Sequence, residues 1–417
     1  MTSSGVRGAS PYRWVIEILL FSILIAQAVA WFNPAPILPP IMRSLNLGLG
    51  GGGLVVSIVS ICMAIFSLAG GVISERFGAR MTAIAGTWTM AVGLLLAGYA
   101  HSLGGLLACR IIQGIGYGLT MAPLATFMMG WFPPSEWAYV NMVNSAGPFV
   151  GATLIFALFP IIYVSVGRSW NETFRLTGIV LGLIALIFTV LGREHKVPAG
   201  AVGAGAHGGA PGGGSSMSEV IRMREVRCVA VALFGSVWTF ELFITFLPTY
   251  LHLAHGFSLE EGGQITAILP ATAAVGGIVG GLGCAVLGLR RPFMWPLQSL
   301  MFIGAVGAVL FTDPTLIRIS MVLFGAGTSG PLSATYTVMM ELPGMTPVKM
   351  GSAFGFAWGV TFAGAFVSPF LGGAIANFIG LFAVLLIFSL SVVAATIALA
   401  LLPETGPGRR KHVEAVA

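Results

Sequence analysis

The chain of 417 residues carries the same pattern of apolar segments and marker residues twice, about 210 residues apart. Gly71 in the loop GVISERFGAR, for example, matches Gly281 in GLGCAVLGLR, and the separation of paired positions varies only from 209 to 211. The paired positions are Leu38-Pro39 with Leu247-Pro248, Gly71, Gly78 and Arg80 with Gly281, Gly288 and Arg290, Gly114 and Gly116 with Gly325 and Gly327, and Met128-Met129 with Met339-Met340. A chain built this way is expected to fold into two related halves. In membrane proteins, repeats place a binding site between the halves, near the bilayer midplane.

The composition excludes a water-soluble fold. Only 8% of the residues are charged and 56% are hydrophobic, whereas a soluble domain usually has about 25% charged residues. Lipid must therefore cover most of the surface. The four cysteines lie singly in separate apolar segments, so the sequence offers neither a disulfide framework nor a metal-binding spacing. The basic residues form no aromatic-interleaved patch, which argues against nucleic acid as a partner.

The apolar segments are long enough to cross a bilayer as helices, which takes roughly 20 residues each. They lie near residues 14–39, 54–73, 82–100, 106–130, 139–165, 173–192, 228–250, 264–287, 292–311, 316–341, 350–375 and 378–402. We therefore predict an all-α membrane protein with twelve transmembrane helices in two six-helix bundles, at 1–192 and 228–402. Residues 193–227 are predicted to be a cytoplasmic linker whose glycine- and alanine-rich run has no fold of its own, and residues 403–417 a cytoplasmic tail.

Basic residues are divided unevenly between the two sides of this arrangement. With both termini inside, 15 of the 20 Lys and Arg residues lie on the cytoplasmic side, as the positive-inside rule requires. Arg13, the apolar run after it and Ala28-Val29-Ala30 look like a signal peptide. The matching segment at 228–250 is a full span, however, so we predict an uncleaved first helix in a multi-pass protein of the bacterial inner membrane.

Four short motifs fall in the positions that one known family uses. The loop GVISERFGAR (71–80) follows span two, RIIQGIG (110–116) lies in span four, GPFVG (147–151) lies in span five, and WFPPSE (131–136) precedes span five. Together they resemble the signatures of the major facilitator superfamily, and the resemblance covers nearly the whole chain. It implies a secondary transporter in which two bundles rock about a central site.

The match is not complete, and its departures bear on the mechanism. The loop motif has Glu75 where the family usually has Asp, and Ala79 where it usually has Arg. The second copy has Ala285 and Val286 in place of both charges, and span five lacks earlier glycines of the antiporter pattern. Within the family, NPAPILPP (33–40) and ELPGMTP (341–347) resemble the cyanate/nitroimidazole-type and related anion permeases.

The loop after span two carries a candidate conformational latch, made of Gly71, Glu75, Arg76, Gly78 and Arg80. Its charges lie just past one helix and before the next, where they can pair with each other and face helix ends. Such contacts can hold the two halves in one conformation. The alternative is ordinary anchoring at the membrane interface, with the glycines allowing close packing.

Glu241 is the clearest ionisable residue at mid-depth in the membrane. It lies near the centre of FGSVWTFELFITFLP, and a charge in that position is costly enough to indicate function. A carboxyl group there suits a carrier of coupling protons or a counter-ion for a cation. The alternative is a carboxyl group satisfied by a neighbouring helix. Glu17, one turn into span one, is instead expected at the membrane interface.

Arg110 is the second candidate and lies in the outer part of span four. It could attract an anionic substrate into the central cavity, or pair with Glu241 when the site is empty. The alternative is a tether to backbone carbonyl groups of the first helix. The sequence leaves these possibilities open.

Other polar and aromatic residues within the spans could line the cavity. These candidates are Gln27, Asn33, Asn144, Trp238, Tyr117 and Trp358. Each of them could equally be a helix–helix hydrogen-bond partner or an interface aromatic residue.

The function class that fits best is a monomeric transporter of a small solute, with an organic or inorganic anion favoured and a proton or ion as coupling partner. A drug or metabolite efflux antiporter is the alternative. A metal-ion transporter is a weaker one, resting on His252 and His255, three residues apart. The chain has no G-x-x-x-x-G-K-[ST] loop and no helical cluster of catalytic side chains. We therefore predict neither an enzyme nor a cofactor or resident metal.

Overall fold

The structure is a computed structural model that describes residues 11–133, 136–194, 214–345 and 347–406. Within these ranges the secondary structure is helical, without a strand, and short loops and turns join the helices. The helices are α1 (Tyr12–Phe32), α2 (Leu38–Ser44), α3 (Leu49–Phe77), α4 (Ala79–Ala97), α5 (Leu103–Trp131), α6 (Trp137–Ser165), α7 (Trp170–Leu191), α8 (Gly214–Arg222), α9 (Arg224–His255), α10 (Leu259–Leu287), α11 (Trp295–Leu310), α12 (Pro314–Ser329), α13 (Leu332–Met340) and α14 (Pro347–Ala400), with short 3-10 turns at Ala35–Ile37 and Arg291–Phe293.

The described helices provide the twelve predicted crossings. Ten segments are long and apolar enough to span a membrane by themselves. One of these, Ser352–Ala400, is interrupted at Gly380 (φ 83°, ψ 158°), so α14 crosses twice. α12 and α13 are each too short, but they follow one another through Gly330 and Pro331 and form the remaining crossing. This span was predicted as one continuous helix, and the break occurs because a proline within a helix lacks the N–H for its hydrogen bond.

The first span is also broken, as its prolines dictate. Pro34 has no N–H, so the carbonyl of Ala30 loses its helical donor four residues later. The chain passes through a 3-10 turn, Ala35–Ile37, before α2 continues the crossing to Ser44. A predicted simple span at 14–39 is therefore a helix, a turn and a second helix that together run over Tyr12–Ser44.

Two glycines of the RIIQGIG motif bring α5 close to two other helices. A β-carbon at Gly114 would lie 2.9 Å from the carbonyl oxygen of Val59 on α3. A β-carbon at Gly116 would lie 2.6 Å from the carbonyl oxygen of Gly86 on α4. Both distances are shorter than a real side chain allows, so the motif is needed for helix packing.

The second half repeats this packing at the positions that the sequence repeat indicates. A β-carbon at Gly325 of α12 would lie 2.2 Å from the carbonyl oxygen of Leu269 on α10. A β-carbon at Gly327 would lie 2.7 Å from the carbonyl oxygen of Leu297 on α11. The duplicated glycines therefore make equivalent helix contacts in the first half (residues 11–194) and the second half (residues 214–406).

The two halves share a hydrophobic core at one end of the bundle only. We name the end that contains Gly78 and Gly288 the linker end, and the opposite end, with Asn46 and Gly256, the distal end. One large cluster of buried residues draws on both halves, and it includes the contact of Phe32 with Phe240, whose ring centroids are 6.4 Å apart. Towards the linker end each half has a separate cluster of its own.

Close contacts between the halves lie towards the distal end. A β-carbon at Gly53 of α3 would lie 2.1 Å from the carbonyl oxygen of Pro369 on α14. Nearby, the backbone N–H of Leu49 donates to Oδ1 of Asn377 at 3.1 Å. α6 and α10 meet in a similar way, since Gly263 packs against the carbonyl oxygen of Phe156. The halves are therefore closed together at the distal end.

The region predicted as a linker contains more structure than expected. α8 occupies Gly214–Arg222 and α9 already begins at Arg224, before the predicted start of the span at 228. Val220 is buried against the second half, and Lys349 donates to Glu219 at 2.5 Å. These contacts give the end of the region a packing surface that composition alone did not reveal. Most of the glycine-rich run lies outside the described residues.

Candidate functional site

Glu241 lies in the middle of α9, between the two halves, and its side chain is only 1% exposed. Its Oε2 atom is buried without a hydrogen-bond partner, and no cation pairs with the carboxyl group among the residues that the structure describes. An isolated ionised carboxylate in such surroundings is very costly. The neutral carboxylic acid is therefore the form that fits these surroundings.

An aromatic group from the first half faces this carboxyl group. Tyr117 of α5 lies within electrostatic range of Glu241. The ring of Tyr117 meets Trp31 of α1 edge-on at 5.7 Å between centroids, and Trp31 stacks on Phe32 at 4.9 Å. The indole Nε1 of Trp31 is buried without a partner, although buried tryptophan N–H groups usually find one. Trp31 was not among the candidates from the sequence.

Arg110 is fully buried, and each of its five N–H donors has an acceptor. Nε donates to the carbonyl of Val55 at 2.9 Å. One terminal nitrogen donates to the carbonyl of Ala30 at 2.5 Å and to Oε1 of Gln113 at 2.6 Å. The other donates to the carbonyl of Trp31 at 2.5 Å and to that of Val56 at 3.1 Å. In this conformation Arg110 has the geometry of the tether, and it makes no ion pair with Glu241.

This network has a local cause in the sequence of α1. The carbonyl of Ala30 has lost its helical donor to Pro34, and Arg110 supplies the missing hydrogen bond. Asn33 supports the same break, since its Nδ2 donates to the carbonyls of Val29 and Ala30 and to Gln113 at 2.9 Å. The guanidinium is nevertheless a buried positive charge without a carboxylate partner in the described ranges, so its field remains available to an anion.

Further buried polar atoms near this network are unpartnered. Gln27 donates to Thr120 at 2.6 Å, which leaves its Oε1 without a partner. The same holds for Nε2 of Gln113 and Oδ1 of Asn33. Buried polar groups of this kind usually have hydrogen-bond partners in folded proteins. The set contains both donors and acceptors, which suits water or a solute with several hydrogen-bonding groups.

The remaining cavity candidates lie apart from this group. Trp238 is one turn from Glu241, but its ring packs between Phe234 and Phe388 of the second half, at 5.3 and 5.2 Å. Trp358 of α14 packs against Phe362 at 5.4 Å. Their positions within the second half are those of packing residues in this conformation.

Asn144 is likewise not brought to Glu241. It lies on α6 beside Glu17 of α1. Glu17 is only 7% exposed, so other helices cover it; its interfacial depth in the membrane stays a prediction. The reason for its burial is that α6 packs along α1 through Gly147 and Gly151 and covers it. Sequence position alone could not reveal that contact.

The candidate latch packs within its own half. Nε of Arg80 donates to the carbonyl of Gly192 at 2.5 Å and its Nη2 to that of Thr189 at 2.8 Å. Gly78 has φ +87°, a backbone conformation that favours glycine, and this allows α4 to begin at the next residue. A β-carbon at Gly71 would have no atom within 4 Å. These contacts anchor α4 to the end of α7.

Arg76 extends the loop at the membrane surface. It is exposed, and its guanidinium lies over the ring of Phe77 at 5.4 Å. Glu75 belongs to the last turn of α3. A latch between the halves thus stays a prediction, and it concerns a conformation in which their linker ends meet.

Two acidic residues that the sequence analysis missed complete the loop motif in both halves. Glu194 accepts hydrogen bonds from the backbone amides of Ala79 and Arg80, at 3.2 and 3.3 Å. Glu404 accepts from the backbone amides of Arg290 and Arg291, each at 2.8–3.1 Å. The separation of 210 residues between Glu194 and Glu404 was the signal that could have found them.

Arg290 makes a further contact that Arg80 lacks. Its guanidinium pairs with Glu341 at 2.8 Å. The positive charge holds the pKa of the Glu341 carboxyl below its usual value, and the same pair raises the pKa of Arg290. The loop after α10 is thereby tied to the end of α13.

The histidine pair gives no support to a metal site. Nδ1 of His252 lies 2.7 Å from the carbonyl oxygen of Phe257, and His255 packs between Tyr250 and Phe257. No cluster of three or more potential metal ligands occurs in the part of the chain that the structure describes.

Comparison with known proteins agrees with this architecture. The family model described as Major Facilitator Superfamily matches residues 20–357. The chain is 27% identical over 367 residues to the hexuronate transporter of Bacillus subtilis, covering 82% of this chain and 83% of the relative. It is 24% identical over 424 residues to the D-galactonate transporter of Escherichia coli, covering 95% and 96%. It is 25% identical over 381 residues to the nitrite extrusion protein of Bacillus subtilis, covering 89% and 90%.

Solved structures show the same fold. A bacterial homolog of the human lysosomal transporter Spinster, in an inward-facing and occupied conformation, superimposes with a TM-score of 0.76 at 16% identity, covering 95% of this chain and 97% of that one. The nucleoside transporter NupG superimposes with a TM-score of 0.70 at 14% identity, covering 93% and 99%. With twelve crossings, a duplicated helix packing and a family match over most of its length, the chain belongs to the major facilitator superfamily and is a multi-pass membrane transporter rather than an enzyme.

Proposed function

We propose that the protein carries a small organic anion together with a proton, in the same direction, by alternating access. The observation that carries the proposal is Glu241, a buried carboxyl group with a free oxygen and no cationic partner in the described chain. It lies where the two halves meet, opposite Tyr117. The binding sites of transporters built from repeats lie at that level.

The charges of the site explain why proton and anion would travel together. Arg110 contributes one buried positive charge whose donors are all used, so it acts through its field. When Glu241 is protonated the site is positive and attracts an anion. When Glu241 is ionised the two charges offset each other, and the anion loses its electrostatic attraction. Proton binding therefore favours anion binding, and by reciprocity the anion favours the proton.

The buried polar atoms favour an anion with additional hydrogen-bonding groups. The unpartnered set includes donors on Trp31 and Gln113 and acceptors on Gln27 and Asn33. A hydroxylated carboxylic acid would satisfy several of them at once. The names of relatives support the same class, since they include transporters of hexuronate, D-galactonate and, in Cupriavidus necator, a probable transporter of sulfoacetate.

The packing of the two halves supports an inward-facing conformation of the transporter in the membrane. If the linker end is cytoplasmic, as the distribution of basic residues predicts, the closed distal end faces outwards. The conformation is then inward-facing, with its exit route between the separate cores of the linker end. In this proposal the bundles comprise residues 1–192 and 228–402, the membrane is the bacterial inner membrane, and the protein works as a monomer.

Flux in proteoliposomes tests the proposal. Purified protein would be reconstituted, and uptake of labelled D-galactonate, glucuronate, sulfoacetate and nitrite measured with and without an inward proton gradient. We expect the gradient to drive accumulation of at least one organic acid, and Glu241→Gln to abolish that accumulation while leaving counterflow partly intact. Glu225→Gln, at the start of the same helix, is the matched control. Accumulation that is equally pH-driven in Glu241→Gln contradicts the assignment of Glu241.

A further inference from the structure

A second buried carboxyl group lies far from Glu241, near the linker end. Glu17 is in the second turn of α1 and is 7% exposed. Both of its carboxyl oxygens are buried, and the side chain of Asn144 is the polar group within hydrogen-bonding reach of them. An ionised carboxylate would have the amide of Asn144 as its donor here, and most of its acceptor sites would stay unmet in a buried position, which is unfavourable. The surroundings therefore match the neutral, protonated form.

The neighbouring helix offers what a protonated carboxyl group needs. Asn144 of α6 lies beside Glu17, and its Oδ1 atom is buried without a partner. A protonated carboxyl group has an O–H that can donate to an amide oxygen, whereas an ionised one offers only acceptors. α6 is held against α1 by Gly147, whose β-carbon would lie 2.8 Å from Leu24. Proton binding by Glu17 thus supplies the donor that Oδ1 of Asn144 lacks.

One cation is within reach of Glu17, and it is only partly engaged. Arg13 lies one turn earlier on the same helix, the spacing at which side chains meet. It contacts Glu136, in the loop before α6, through a single pair of atoms at 3.2 Å. Nε of Arg13 and Oε2 of Glu136 are both buried without partners. Arg13 is therefore placed to exchange Glu136 for Glu17 when Glu17 loses its proton.

Few other charged groups lie on the helices packed against α1. α6 contains no Asp, Glu, Lys, Arg or His, and α5 contains only Arg110, in its distal part. The basic group of α4 is Arg80, which donates to carbonyl groups at the end of α7. The remaining charged residues on α3 and α7 or directly after α7 are Glu75, Arg76, Glu172, Arg175, Arg193 and Glu194. Arg193 also reaches the start of α1, since its guanidinium lies over the ring of Tyr12 at 4.8 Å. Arg13 and Glu136 form the ion pair nearest to Glu17 along α1 in the described chain.

From this arrangement we infer that Glu17 and Asn144 form a second proton-binding site, which responds to the pH on the linker side and biases the conformation of the transporter. With the proton bound, Arg13 stays with Glu136 and ties the start of α1 to the loop between α5 and α6. Loss of the proton transfers Arg13 to Glu17 and frees that loop. Since the described conformation, open at the linker end, has the protonated form, lowering the pH on that side stabilises it.

The Glu17–Asn144 site has a different role from Glu241, the proposed coupling group. Glu17 lies near one end of the bundle and on the seam of two helices of the same half. It therefore exchanges protons with the linker side rather than carrying them across. Its role is regulation of the cycle, and it holds whether or not Glu241 is the coupling group.

Distances between the halves at the linker end test the inference without any substrate. Spin labels would be placed at Val72 and Leu282, equivalent positions of the repeat that are 68% and 53% exposed, in a Cys228→Ser background. Pulsed electron–electron measurements would follow the label distance in lipid nanodiscs from acidic to alkaline pH. We expect the wild-type chain to shift from longer towards shorter distances as the pH rises. Glu17→Gln, a permanent mimic of the protonated form, should keep the acidic distribution at every pH.

Glu241→Gln is the matched control and should retain the pH-dependent shift. Infrared difference spectra between the same pH values provide the second readout, since Glu17→Gln should lose one band of a protonated carboxyl group and Asn144→Leu should move it. The inference is overturned if the wild-type distances do not change with pH, or if Glu17→Gln keeps the full shift. It is also overturned if Glu241→Gln alone abolishes the shift, because the response would then belong to the coupling group.

Discussion

Glu194 and Glu404, 210 residues apart, occupy equivalent places in the two halves, and each accepts hydrogen bonds from backbone amides directly after the loop motif, at the start of α4 and of the 3-10 turn before α11. Glu194 accepts from the amides at the start of α4, and Glu404 accepts from those of Arg290 and Arg291, ahead of α11. The first amides of a helix have no acceptor within the helix. The duplication has thus preserved a carboxylate that joins the last helix of each half to its third crossing.

Loss of either carboxylate should destabilise the fold. We expect Glu194→Ala and Glu404→Ala each to cost about 1 kcal/mol, the usual effect of removing a capping side chain, and to add in the double variant because the sites are far apart. Thermal unfolding of purified protein in detergent measures this. Glu172→Ala, whose partner Arg175 lies on the surface of the same helix, should change the melting temperature little.

Substitutions of Arg110 should distinguish the effect of its positive charge from the effect of its hydrogen bonds. Arg110→Lys keeps the positive charge but cannot supply five donors in a planar fork. We expect it to lower stability by about 3 kcal/mol or more, because the carbonyl of Ala30 and other buried acceptors lose charged donors, while anion affinity is largely kept. Arg110→Ala should lose both stability and affinity. The melting temperature and the anion affinity would be measured on the same preparations of each variant. Unchanged stability in Arg110→Lys would contradict the role of Arg110 as a tether to backbone carbonyl groups.

Gly53 should control the closed distal end. A methyl group there would lie 2.1 Å from the carbonyl oxygen of Pro369 in the other half, a distance that no packing tolerates. We expect Gly53→Ala to disfavour the described conformation and to raise labelling of a cysteine introduced at Ile268 from the distal side. Gly71→Ala lies on the same helix with nothing within 4 Å and serves as control. Equal labelling in both variants would show that this contact does not hold the halves together.

The pair of Arg290 with Glu341 predicts a loss of stability in acid. The pKa of Glu341 is lowered in the folded state by Arg290, so its contribution is complete above the unfolded value of about 4.5. The contribution is lost as the pH falls through the lower, folded value. The melting temperature of the wild-type chain should therefore drop on acidification below pH 4.5 more steeply than that of Glu341→Gln. Parallel curves for the two proteins would exclude the contribution.

Local sequence determined much of this fold. The twelve apolar segments predicted the crossings because the bilayer demands length and apolarity, which are properties of a segment alone. The breaks at Pro34 and Pro331 were open to the same argument, since a missing N–H is visible in the sequence. The duplicated glycines Gly114 and Gly325 lie at close helix contacts, whereas Gly71, for which the sequence offered close packing as an alternative role, has no atom within 4 Å of its β-carbon position.

The candidate site was harder to predict from the sequence because its contacts join residues that are far apart in the chain. Glu241 stands out by its depth, but its lack of a partner depends on which helices surround it. The acceptors of Arg110 are mostly backbone carbonyls of α1 and α3, which carry no signature in residue type. The burial of Glu17 depends on how α6 lies against α1. No sequence pattern indicated Trp31 as a site residue, because the lack of a partner for its indole N–H depends on which residues surround it in the fold.

The contacts that close the distal end are apolar and backbone contacts with the uncharged hydrogen bond from Leu49 to Asn377, and each of the four ion pairs of the described residues lies within one half. Opening that end must therefore wet aromatic and glycine-lined surfaces, such as the contact of Phe32 with Phe240, rather than separate charges. Hydration of apolar surface carries a large positive heat capacity. The rate and equilibrium of the conformational cycle should consequently curve with temperature and respond to pressure, while remaining nearly indifferent to ionic strength.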